Sequence, residues 1–143
     1  MAAYETNNIF AKILRGDIPC EKVFEDEHTI AFMDIMPQSD GHLLVVPKSP
    51  SIGLLDAKPE ALGPLFIAVQ RLANAAKSAF KAEGVSIMQF NGPAAGQTVF
   101  HLHVHIIPRY EGLSLRAHGE EGALSHKIKE NADKIREFLK NQS

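Results

Sequence analysis

A chain of 143 residues forms one domain and is long enough to bury a core of its own. Its 45% apolar and 22% charged residues suit a soluble globular protein, and a net charge of -2 lacks the basic excess that a nucleic-acid backbone needs. No apolar run approaches the roughly 20 residues that cross a bilayer. Neither nucleic acid nor membrane is therefore an expected partner, and an anionic ligand has to be held by a few placed groups. Cys20 is the only cysteine, so no internal disulfide forms. The opening Met-Ala-Ala-Tyr-Glu-Thr carries neither a basic leader nor an apolar run, which makes a cytoplasmic location the expectation.

Ile9, Phe10, Ile13 and Leu14 recur at helical spacing over residues 8–14, and Gly16 stands where that helix would end. Residues 22–25 and 29–34 read as strands joined at the charged turn Asp26-Glu27-His28. Pro, Ser, Asp and Gly cluster between Pro37 and Gly41, which marks a loop. His42 to Pro47 (HLLVVP) is a short apolar strand that Pro47 stops. Residues 59–83 predict the long helix, with Leu62, Leu65, Phe66, Val69, Leu72, Ala73, Ala76 and Phe80 on one stripe. Pro59 and Pro64 compete for its first position, and Gly84 closes it. A strand from Val85 to Asn91, a loop over Gly92 to Gly96 and a strand from Thr98 to Ile107 follow. The last helix spans about 126–140, with Ile128, Ile135, Phe138 and Leu139 on one side. Hairpin-like strands with one long helix among them predict an α+β fold with an antiparallel sheet.

The chemistry concentrates in His101-Leu102-His103-Val104-His105-Ile106-Ile107. On a strand, alternate side chains share a face, so the three imidazoles point one way while Phe100, Leu102, Val104 and Ile106 point toward a core. Folding needs the apolar face and has no use for the other. Three readings compete: scattered surface histidines, a zinc site, and nucleophilic or acid–base chemistry at phosphorus. The first sits poorly with the strict alternation. The second lacks an Asp, Glu or Cys within the motif. An imidazole suits the third, because it is largely neutral near pH 7 and also carries protons. The preceding loop, Asn91 to Thr98, combines two glycines, an amide and a hydroxyl. That composition serves an ordinary hairpin connection, or lets backbone N–H groups approach a phosphate.

AGQTVFHLHVHIIPR resembles the signature of the histidine triad proteins, FMDIMPQSDGHLLVVPK resembles their first conserved block, and NNIFAKILRGDIPCEKVFED resembles the amino-terminal segment of their nucleotide-binding branch. The likeness covers residues 8–110, with 111–143 a tail whose helix belongs to the same domain. It implies a five-stranded antiparallel sheet per subunit and a homodimer in which two sheets join. It further implies a purine nucleotide ligand, such as AMP, and attack on the α-phosphorus by His103, giving a nucleotidyl-histidine that water releases.

By the same resemblance, His105 donates to a phosphoryl oxygen, while His101 and His42 lie behind the nucleophile, orient it and manage protons. Thr98 stands near the leaving group, and Gly96 and Gln97 approach the phosphate. Asp34 accepts the ribose hydroxyls and Ile35 lines the base pocket. For attack His103 must be neutral, its second nitrogen's proton held by a backbone carbonyl.

The departures from the family pattern are informative. Some members hold structural zinc with a CxxC pair and a later histidine, where this chain has Asn8, Ala11 and Pro50. No metal and no cofactor are expected. Where the family often has an amide, Phe90 stands here, so the phosphate contact passes to the adjacent Asn91. GPAAGQTV resembles the dinucleoside-polyphosphate branch, whereas the amino terminus resembles the phosphoramidate branch. The leading expectation is a hydrolase of nucleoside phosphoramidates. Dinucleoside polyphosphate hydrolysis, a nucleotide-binding regulator with little turnover and a metal sensor stand behind it.

Overall fold

A computed structural model describes residues 3–116 and 125–141. The elements are α1 (Ile9–Leu14), β1 (Lys22–Glu25), β2 (Thr29–Met33), β3 (Leu43–Pro47), α2 (Pro59–Ala79), β4 (Gly84–Met88), β5 (Val104–Arg109) and α3 (Ser125–Lys140), with a 3₁₀ turn at Pro93–Ala95. The five strands form one antiparallel sheet in the order β1-β2-β3-β5-β4. This is the α+β architecture that the sequence predicts.

Strand alternation sorts the core into two layers. Met33, Leu43, Val45, Val104 and Ile106 pack on one face against Leu65, Val69 and Leu72 of α2 and Ile128 and Ile135 of α3. Ile30, Phe32, Leu44 and Val46 pack on the other against Phe10 of α1, with Ile13, Leu14 and Val99 partly buried beside them. His105, paired with Leu44 on β3 and Met88 on β4, belongs to this second face.

Several boundaries differ from the sequence reading. The last strand begins at Val104 rather than Thr98, so His101 and His103 lie on irregular chain just before it. The cause is local: the β3–β5 ladder starts at Val45 opposite Val104, and Leu102 N–H turns aside to the Ser51 carbonyl at 3.0 Å. Phe100, expected on the core face, is consequently exposed. Pro108 sits inside a central strand without breaking the sheet, because β5 pairs with β3 only as far as Ile106 and with β4 alone beyond it.

Pro59 takes the first position of α2, and Pro64 is carried inside the helix. The helix ends at Ala79, and the chain turns at Lys81, with φ of 50°, so Gly84 opens β4 instead of closing α2. β4 stops at Met88, short of Asn91. Phe66 and Phe138, both counted toward the core, are exposed. Gly41 is needed where it stands: φ is 93°, and a Cβ there would lie 2.5 Å from the Phe80 ring. That contact seats the loop leading into His42 against the end of α2.

Candidate active site

Asp34 and His42 end the β2–β3 connection. Asp34 N–H donates to the His42 carbonyl at 3.1 Å, which carries the ladder one pair beyond Met33 and Leu43. Both side chains are buried, and Asp34 Oδ2 lies 3.4 Å from His42 Nε2. Asp34 Oδ1 meanwhile accepts Met36 N–H at 2.8 Å.

Backbone donors decide where the protons sit. Gln38 N–H donates to His42 Nδ1 at 3.0 Å, so the ring's own proton is on Nε2. His42 Nε2 is 2.9 Å from His105 Nδ1, which therefore accepts, and neutral His105 keeps its proton on Nε2. The run from Gln38 through His42 makes His105 a donor at its outer nitrogen. His103 is set differently. Its Nδ1–H donates to the His101 carbonyl at 2.6 Å, so the lone pair is on Nε2. The two rings stand 5.1 Å apart, one presenting a lone pair and the other an N–H.

His101 lies behind them, fully buried. Its Nε2–H donates to the Pro47 carbonyl at 2.8 Å, and its Nδ1 accepts the Tyr4 hydroxyl at 2.7 Å. Burial pushes its pKa below the usual imidazole value, against the opposing pull of the Pro47 carbonyl. It orients His103 through its backbone carbonyl rather than its ring. His42 stands behind His105 and not behind His103, which differs from the expected arrangement.

Asp34, His42 and His105 offer ligand atoms within 4.8 Å of one another, a donor set that zinc accepts. A ligating histidine, however, donates its distal N–H outward. The distal nitrogen of His42 here receives the Gln38 N–H, so its Nε2 carries a proton. The arrangement is that of a proton-bearing chain.

The loop residues hold one another. Gln97 is buried: its Oε1 accepts Gly92 N–H at 2.8 Å, and its Nε2 donates to the carbonyls of Ile52 at 2.7 Å and Val99 at 3.0 Å. Gly96 N–H and Gln97 N–H bond to Pro93 and Gly92 carbonyls. The N–H groups expected at a phosphate are engaged inside the loop, and they hold its shape. Asn91 Oδ1 accepts Leu54 N–H and Gln89 Nε2, and its own Nδ2 donates to Gln89. Thr98 and Ile35 are exposed.

The fold thus brings His103, His105, His42 and Asp34 into one cluster, sets His101 behind it, and leaves Asn91, Gly96, Gln97 and Thr98 on the adjoining loop. Sequence reasoning missed Tyr4, and it missed the rings packed on two of the triad histidines: Phe10 lies 4.8 Å from His103 and Phe90 5.8 Å from His105. Phe10 read as core and Phe90 as a departure from pattern. Nothing in the sequence marks Tyr4.

The family model described as HIT domain matches residues 15–112. The chain belongs to the histidine triad (HIT) family. A HIT-like protein of Bartonella henselae, described as involved in cell-cycle regulation, is 53% identical over 95% of this chain and 99% of its own, with a TM-score of 0.90. A hypothetical histidine triad nucleotide-binding protein of Sulfolobus tokodaii is 33% identical, covers 92% of this chain and 91% of its own, and has a TM-score of 0.85. Adenylylsulfatase HINT3 of Arabidopsis thaliana is 38% identical over 72% of this chain and 52% of its own length. Among the described residues, no helix of this histidine triad protein is long and apolar enough to cross a membrane.

Proposed function

We propose that this protein cleaves purine nucleoside phosphoramidates at the α-phosphorus through a nucleotidyl intermediate on His103. The observation that carries the reading is the 2.6 Å bond from His103 Nδ1–H to the His101 carbonyl, which fixes the attacking tautomer. His103 Nε2 bonds to phosphorus as the bond to the leaving nitrogen breaks. The electron pair goes to that nitrogen, which takes a proton from solvent. Water then displaces His103, releasing the nucleoside monophosphate and a proton. His105 Nε2–H stabilises charge on the phosphoryl oxygens in both steps. Asp34 takes the ribose hydroxyls by exchanging part of its contact with His42, Ile35 covers the base, and Thr98 stands on the leaving-group side. The relatives named for nucleotide binding and for adenylylsulfatase activity support an adenylyl-type substrate.

A cytoplasmic homodimer completes the reading. β4 is an edge strand carrying exposed Ile87, and α2 exposes Phe66 and Ile67. An unpaired edge beside apolar side chains is stabilised by a second copy. Light scattering should give twice the chain mass, and Ile67→Lys should halve it. The catalytic reading is tested by acid-sensitive quench with a labelled adenosine phosphoramidate. Label should appear on His103, and label on any other residue would overturn the assignment.

A further inference from the structure

His103 lies outside the β3–β5 ladder, which starts at Val104. Its Nδ1–H bonds to the His101 carbonyl at 2.6 Å, so the aim of its Nε2 follows from where that carbonyl is held. Leu102 N–H donates to the Ser51 carbonyl at 3.0 Å, and His101 Nε2–H donates to the Pro47 carbonyl at 2.8 Å. Those two bonds reach the end of β3 and the turn just after it. The bond that closes the other side of the His101 ring comes from 97 residues away, where the Tyr4 hydroxyl donates to Nδ1 at 2.7 Å. We infer that Tyr4 is a positioning residue, which fixes the His101 ring and, through the main-chain carbonyl of His101, aims His103. The inference rests on the nucleotidyl-transfer reading and deepens it.

The chemistry of the ring gives the hydroxyl its role. A carbonyl only accepts, so the Pro47 bond commits the proton of neutral His101 to Nε2 and leaves a lone pair on Nδ1. That ring is fully buried, and a buried lone pair without a donor is unfavourable. Once the phenol is removed, the ring relieves this by turning off Pro47 or by drawing water in. Either movement shifts the carbonyl that aims His103. The amino-terminal arm is fastened so as to deliver this one group. The Thr6 carbonyl accepts the Arg15 guanidinium at 2.6 Å, the Glu5 carbonyl accepts Asn8 Nδ2 at 2.8 Å, and Asn8 Oδ1 caps α1 at Ala11 N–H. Tyr4 is thereby tied to the start of α1, whose Phe10 packs on His103. The phenol ring meets the His101 imidazole edge-on, with centroids 5.6 Å apart.

The test compares wild type with Tyr4→Phe and Tyr4→Leu on an adenosine phosphoramidate. Tyr4→Phe keeps the ring contact and removes only the donor. Its kcat should fall about tenfold with KM unchanged, a part of the roughly hundredfold that an ångström of misplacement costs. Tyr4→Leu should lose about as much, because the hydroxyl and not the ring packing sets the aim. Imidazole nitrogen NMR on the resting protein reads the cause. The His101 Nδ1 signal should lose its hydrogen-bonded shift in Tyr4→Phe and the His103 signals should move. Those of His105, held by β5 and His42, should stay in place. An unchanged kcat in Tyr4→Phe, a loss confined to KM, or His101 and His103 signals that match wild type would overturn the role. If wild type turns over no phosphoramidate, the nucleotidyl-transfer reading fails instead. The nitrogen spectra then decide the hold of Tyr4 on His101 and His103 by themselves.

Discussion

His103 and His105 stand two residues apart and are held by different physics. His105 is on β5, positioned by ladders to β3 and β4, and its tautomer is relayed through the His42 side chain from the Gln38 N–H. His103 is on irregular chain, and its tautomer is set by the carbonyl two residues upstream. The position of His105 is thus robust while its proton depends on a neighbour. The proton of His103 is secured by the main chain while its position depends on the anchoring of residues 97–103. The two histidines are therefore expected to fail in different ways.

The largest effect is expected at His103, the proposed nucleophile. His103→Asn retains an N–H for the His101 carbonyl, so fold and nucleotide binding should persist while turnover falls about 10⁴-fold or more. Single-turnover kinetics beside a binding titration checks both halves, and near-normal turnover would break the assignment. His105→Asn removes the proposed donor to developing charge and should cost about 10²- to 10³-fold in kcat. Steady-state rates on one substrate rank the two variants, and a reversed order would exchange their roles.

The difference in anchoring predicts a third effect. Gln97→Ala removes the bonds to Gly92, Ile52 and Val99 and loosens the segment carrying His103 but not β5. kcat should fall about ten- to hundredfold, the scale of a displaced reacting group. A loss confined to KM would contradict the role given to this loop. On the other side of the site, Gly41→Ala places a methyl group into the Phe80 ring at a positive φ. It should destabilise the fold by about 1–3 kcal/mol, read as a lower urea midpoint.

The smallest effect is on pH dependence. Burial holds His101 below its ordinary 6.5, so the unfolded chain binds a proton that the folded chain refuses. Its contribution to stability is whole above about pH 6.5 and declines as pH falls from there toward the folded value. Urea denaturation between pH 7.5 and 5.5 should show stability falling with pH, less steeply in His101→Gln. Equal slopes would remove His101 as the cause.

Much of this was readable in the chain. The β2 and β3 strands, the start of α2 at one of two prolines and the α+β class follow from periodicity and breakers, which are local properties. The alternation of histidines pointed to shared chemistry, although its stated basis, one continuous strand, holds only from Val104 onward. Phe66, Phe138 and Phe100 read as core because an apolar residue looks the same to periodicity whether or not a neighbour arrives to cover it.

The sequence by itself determined where imidazole, carboxylate and amide groups are available for chemistry, because those are properties of side chains, and it determined the layers of the sheet, because strand alternation is local. Tertiary structure alone decided the protonation pattern. That His42 carries its proton on Nε2, that His105 therefore donates outward and that His103 presents a lone pair all depend on Gln38 N–H and the His101 carbonyl reaching particular ring nitrogens. A hydrogen bond of this kind needs partners within a few tenths of an ångström. For His42 and His105, 63 residues apart in the chain, only the closed β3–β5 ladder supplies that accuracy.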